Sequence, residues 1–370
     1  MLKKLIFIGL SLSATQLVAQ ENDVETLDKL LELRWVSQGL RYSSNPLVHH
    51  ELIHETFGTK YALDAETGKK LYFVNSEHQK VIKGYTKDSV LYFSMRRGGS
   101  AIVNIYNGQL IYQSKIAASR PWIKRPRTVS DTLVYHALND SVFSATSVID
   151  GKSIWVKEMK GIYDVPVEKD QIIYVFDDEF LFELNKRTGE ELDKIKLGRL
   201  GADPIVEDEI LYAYIIDKGI VCYNLITKDL KWEYVDFDSF YKDYQLVNKS
   251  EKLFIVSRSL IALLKESGSL GWKNDKVGAG ESFHLASTSK YILTYKIYDD
   301  QSKLVACDIE TGKIAFDGFS RIEDKVGDKI ITRPLEDLEY VSFRFGQEIL
   351  RNLLYAVDPN GNIYCFEINE

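Results

Sequence analysis

His50-Glu51-Leu52-Ile53-His54 has the spacing of a metal-dependent hydrolase. On a helix, two histidines four apart share one face and hold zinc, and the glutamate acts as general base. The flanking sequence argues against a helix. Between Pro46 and Tyr61 the pattern predicts a strand, a turn and a second strand. In an extended strand, residues four apart are about 13 Å apart, too far to share one metal. No third ligand is apparent downstream, so His49, His50 and His54 read as polar residues at a strand edge. Acidic runs at Asp177-Asp178-Glu179, Asp236-Phe237-Asp238 and Asp299-Asp300 lack the ligand spacing of a calcium loop and read as solvated turns. No catalytic residue and no metal site is assigned.

A second kind of chemistry is recognition. Arg120, Lys124, Arg125 and Arg127 surround Trp122 in KIAASRPWIKRPR, and Arg96 and Arg97 stand together upstream. An exposed Trp beside arginines is the usual makeup of an interaction hot spot. The group Arg96, Arg97, Trp122, Lys124, Arg125 and Arg127 is the candidate partner-binding surface, suited to an acidic protein, peptide or glycan. The competing reading is a solvated loop that offsets an acidic chain. The formal charge is −7 over 370 residues, which argues against a nucleic-acid partner.

Residues 1–19 read as a secretory signal: Lys3 and Lys4, a short apolar core, then small residues up to Ala19. Cleavage there would take the charge to −9. No Cys near the cut would accept a lipid, and no later segment is long and apolar enough to span a bilayer. The expected location is outside the cytoplasm, periplasmic or secreted. Cys222, Cys307 and Cys365 each sit in an apolar strand pattern and read as buried, unpaired thiols.

These residues must be positioned by a repeat. YALDAETGKKLYF, residues 61–73, reads as two strands around a turn: Asp64 and Thr67 can bond nearby backbone N–H groups, and Gly68 supplies a left-handed residue. Its counterparts are Gly108, Gly151, Gly189, Lys228, Gly268 and Gly312, at spacings of 40, 43, 38, 39, 40 and 44. Four residues beyond each lies Tyr72, Tyr112, Trp155, Asp193, Trp232, Trp272 or Phe316. The fourth repeat departs with Asp193 and the fifth with Lys228, whose turn must differ or be strained. A period near 40 with hairpin content predicts propeller blades of four strands, A to D. Trp35 ends a half-repeat at the start of the chain, and residues 353–368 form another at its end. Joined, they predict an all-β, eight-bladed propeller of four-stranded antiparallel blades, closed by pairing the N- and C-terminal strands. Residues 334–351 read as an insertion.

The copies YALDAETGKKLYF and LVACDIETGKIAF, with Trp35, Trp155, Trp232 and Trp272 in the last strand, resemble the pyrroloquinoline-quinone (PQQ)-type propeller repeat. The resemblance covers residues 30–370 and implies that each Trp packs between blades against the neighbouring turn. Two branches follow. One is similar to the propeller lipoprotein of the outer-membrane barrel assembly machinery and implies a monomeric, non-catalytic scaffold for a protein partner in the envelope, with no cofactor. The other is the quinoprotein dehydrogenases and implies PQQ with calcium. Their vicinal cysteine pair is missing here, and no residue matches their cofactor positions.

Overall fold

The computed structural model describes residues 24–37, 47–49, 52–54, 61–73, 81–87, 90–95, 100–113, 126–129, 132–139, 142–147, 149–150, 152–159, 166–177, 179–201, 204–216, 218–235, 245–278, 286–298, 301–318, 324–326, 329–331, 344–345, 351–358 and 362–370. Among these residues there is no α-helix, only a three-residue 3-10 turn at Leu27–Lys29 ahead of the first strand.

The repeats fold as antiparallel sheets with strands in the order A, B, C, D. Six follow one another along the chain, over residues 47–73, 81–113, 126–158, 167–196, 205–234 and 245–274. They are called the first to sixth blades below. A further four-stranded blade is shared by the two ends. Leu31–Ser37 pairs antiparallel with Ile363–Ile368, which pairs with Leu353–Val357, which pairs with Arg344–Phe345. Trp35 stands opposite Cys365 across this seam.

The expected eight-bladed count is corrected: among the described residues the all-β propeller has seven four-stranded blades. The turn at Gly312 marked residues 277–317 as one more regular copy, but that stretch builds an irregular five-stranded sheet. Val277–Gly278 and Ala286–Ser287 pair with different parts of the long strand Tyr291–Tyr298. That strand has eight residues, more than either short partner can cover. Gly278 is also pressed against the sixth blade, where a Cβ would lie 2.5 Å from the Arg258 backbone. A conserved turn period therefore hid a split first strand. Next, Asp324–Val326 and Lys329–Ile331 form a separate two-stranded hairpin. Most of the expected insertion at 334–351 lies outside the described residues.

The core is divided among the seams. Tyr135, Phe143 and Trp155 of the third blade pack with Ile173, Val175 and Leu184 of the fourth. Trp35, Tyr355 and Cys365 of the closing blade pack with Leu63 and Ala65 of the first. Each of the four described Trp residues also makes one directional bond across its seam. The indole N–H groups of Trp35, Trp155, Trp232 and Trp272 donate to the carbonyls of Ala65, Lys186, Lys265 and Ile309, at 3.1, 3.0, 2.8 and 3.2 Å. Tyr355 and Tyr135 hydroxyls donate to the same Ala65 and Lys186 carbonyls.

The turn that receives the indole explains the glycine. Gly68 has φ +67°, and a Cβ on it would lie 2.6 Å from the Trp35 ring. Gly189, Gly268 and Gly312 stand likewise against Trp155, Trp232 and Trp272. Asp64 holds its turn by accepting from the Thr67 N–H at 2.8 Å and the Thr67 hydroxyl at 2.7 Å. The Thr67 hydroxyl is the main cause holding the Asp64 carboxyl below its ordinary pKa.

Candidate partner-binding surface

Arg96, Arg97, Trp122, Lys124 and Arg125 lie outside the described residues. Arg127 falls in the strand Pro126–Val129, whose side chains are likewise not described. His50, Glu51 and Gly151 also lie outside. Leu52–His54 is a strand, paired with Leu47–His49 on one side and Tyr61–Asp64 on the other. The helical face that a zinc-binding H-E-x-x-H requires is therefore not formed over these residues.

The described surface presents a different feature. Strand D is the outermost strand of each blade. It carries a bulge one residue before the aromatic position, so the register against strand C shifts there in every blade. Apolar side chains stand exposed around this edge in all six of these blades, three each in the fifth (Ile226, Leu230, Val235) and in two neighbours, the second (Tyr106, Leu110, Ile111) and the third (Ile149, Ile154, Val156). The two blades touch through Val90, Ile102 and Tyr112 of one and Val134 of the other. Ile149 is 74% exposed, Ile154 51% and Val156 56%. Such exposure on adjacent blades makes this a candidate interaction surface. Two nearby lysines are paired. Lys152 binds Asp150 at 2.9 Å and Lys157 binds Glu191 at 3.1 Å. The side-chain bond from Lys152, joined by its N–H, lowers the Asp150 pKa to about 2. The sequence signal was the run Ile154-Trp155-Val156, apolar on both faces of an outer strand, where one face should meet water.

The seam between the fourth and fifth blades has another chemistry. At the seams of Trp35, Trp155, Trp232 and Trp272, a small residue on strand C (Cys365, Ala145, Cys222 or Ala262), the Trp on strand D and a glycine on the next turn fit together. Here Glu183, Asp193 and Lys228 hold those three positions. With no indole against it, the turn has room for a side chain. Lys228 keeps the glycine conformation, φ +62°, and the same turn bond, from its N–H to the Asn224 carbonyl at 2.9 Å. The turn thus does not differ; the lysine accepts the strained region. Its ammonium binds Glu183, which is 7% exposed, and lies 3.4 Å from Asp193. Burial, then the Glu183 charge, pushes the Tyr174 phenol up to about 12.

Burial pushes the thiols of Cys222, Cys307 and Cys365 up to about 11, 12 and 12, and all three are unpaired. Among the described residues, no three His, Cys, Asp or Glu side chains come together in a way that would hold a metal. Nor is any helix among them long and apolar enough to cross a membrane.

The family described as outer membrane protein assembly factor BamB matches residues 177–370. The chain belongs to this family. No curated protein matches it at a significant level. Among solved structures, BamB from Moraxella catarrhalis is 14% identical with a TM-score of 0.69, over 92% of this chain and 100% of that one. A quinohemoprotein alcohol dehydrogenase, ADHIIG from Pseudomonas putida HK5, is 11% identical with a TM-score of 0.62, over 91% of this chain and 76% of that one. The C-terminal WD40 domain of Sif2 is 11% identical with a TM-score of 0.66, over 92% of this chain and 99% of that one. At these identities the likeness is one of fold, a PQQ-like propeller.

Proposed function

We propose that the chain is an exported, monomeric scaffold of the cell envelope that binds proteins during outer membrane protein assembly. The observation that carries this reading is the exposed apolar rim shared by the second and third blades. Family membership supplies the setting. A rigid ring with a distributed core can offer broad contacts without catalytic groups. The basic group Arg96, Arg97, Trp122, Lys124, Arg125 and Arg127 is a second contact surface in this reading. The test is affinity capture on the tagged full chain from the source envelope. Assembly proteins retained by the wild type and released by Arg125→Glu with Arg127→Glu support the basic surface. Retention of no assembly protein by the wild type overturns the scaffold.

A PQQ-dependent oxidoreductase is the second reading, favoured by the fold shared with ADHIIG. Adding the quinone and calcium to the purified chain tests it: bound quinone absorbance with dye reduction would support it.

A further inference from the structure

One outer edge of this propeller is already covered, and by the chain itself. Ahead of the first strand, Glu25 lies parallel to Phe316 on Ile314–Asp317, the edge strand of the five-stranded sheet. The Glu25 N–H donates to the Ala315 carbonyl at 3.2 Å, the Asp317 N–H to the Glu25 carbonyl at 2.9 Å, and the Leu27 N–H to the Gly318 carbonyl at 2.5 Å. Leu27 and Leu30 are then fully buried among Phe316, Leu354, Phe366 and their neighbours. The consequence shows in exposure: all four residues of Ile314–Asp317 are half-buried, whereas Ser153–Glu158 is mostly exposed.

The third blade repeats the receiving geometry. Its bulge falls at the same point: Ala145 pairs Trp155 and Thr146 pairs Ser153, as Ala306 pairs Phe316 and Cys307 pairs Ile314. The identical register puts the Ile154 carbonyl, Val156 N–H and Lys157 carbonyl where Ala315, Asp317 and Gly318 present theirs. Among the described residues no strand lies outside Ser153–Glu158.

The first three blades lack a charged guard at this edge, and in the third both unguarded side chains are seen to be exposed. Free strand edges are normally protected by charge. The positions of Ile154 and Val156 are Leu192 and Lys194 in the fourth blade, Lys231 and Glu233 in the fifth, Gly271 and Lys273 in the sixth, and Arg34 and Val36 in the closing blade. The first blade has Leu71 and Phe73 there and the second Ile111 and Gln113, likewise uncharged; of these three the third is the one with both side chains described, and both are exposed.

We propose that the outer edge Ser153–Glu158 is completed by an extended segment of a partner polypeptide, added in parallel as Glu25–Leu27 is added to Ile314–Asp317. The segment is apolar where it meets the exposed Ile154 and Val156. This rests on the scaffold reading and names the mode of capture at its rim. The probe is a synthetic peptide with the sequence of residues 24–31, VETLDKLL, added to the full chain and followed by hydrogen exchange. The expected result is slowed exchange at the Val156 amide, with the Asp317 amide, already bonded, unchanged. Exchange over 153–158 that stays unchanged at saturating peptide overturns the proposal. Val156→Pro removes an outward N–H that takes no part in the ladder, and Val156→Lys restores a guard should the proline perturb the fold. Both variants are expected to lose the peptide while keeping the wild-type circular dichroism. Envelope capture separates the two claims: partners held equally by wild type and Val156→Lys sink strand addition and leave the scaffold standing, while a wild type that captures no partner sinks the scaffold.

Discussion

Lys228 shows how one side chain can change the chemistry of a whole seam. It stands where a glycine is required only because Asp193 has replaced the indole that would fill its space. Removing its ammonium leaves Glu183 charged and buried without its partner. Lys228→Ala is expected to destabilise the fold by about 1–3 kcal/mol, measured by urea unfolding. The triple change Glu183→Ala, Asp193→Trp, Lys228→Gly rebuilds the indole seam of the neighbours and is expected to recover most of that loss. In an ordinary seam, Trp155→Ala is expected to cost about 3–5 kcal/mol, because a large buried ring leaves a cavity. The Trp and Gly positions were legible from the sequence, since each recurs at a fixed offset. The Asp193 and Lys228 departures were legible singly. Their pairing was not, because it joins positions 35 residues apart that meet only once two blades pack.

Between elements, seams are also tied by ion pairs on the turns. Glu207, on strand A of the fifth blade, meets Lys265 on the turn of the sixth at 2.9 Å. The Lys265 bond is the largest cause holding the Glu207 carboxyl below its ordinary value of 4.5. A lowered carboxyl contributes stability that is complete above its unfolded pKa and fades as pH falls through the folded one. The midpoint of urea unfolding is therefore expected to drop below about pH 4.5, and Lys265→Met is expected to flatten that part of the curve. The segment ahead of Leu31 acts at the same scale. Leu27→Asp places a charge in the pocket formed by Phe316, Leu354 and Phe366, and is expected to release the Glu25 strand, seen as faster exchange at the Asp317 amide. Nothing in the sequence announced this strand. Residues 24–30 carry no copy of the repeat, and the edge they cover is set by packing of the last two sheets.

For the molecule as a whole, closure puts the chain ends in one blade. Deleting residues 363–370 removes the strand between Leu31–Ser37 and Leu353–Val357 and is expected to abolish a single cooperative unfolding transition. The ring and its seam were readable because two half-repeats at the ends complemented each other. The blade count was not. The period marks C–D turns, and says nothing of whether the A strand ahead of Tyr291 is one piece or two. The surface chosen from sequence rested on charge, whereas the rim that the fold presents is apolar, and is visible only once strand D is known to be outermost. The most direct measurement of the scaffold reading is cross-linking in the source envelope from Lys152 and Lys157, which flank the exposed Ile154 and Val156, with mass-spectrometric identification. Links from both lysines to outer membrane assembly proteins are expected. An absence of any such protein, together with bound quinone and dye reduction by the purified chain, would contradict it.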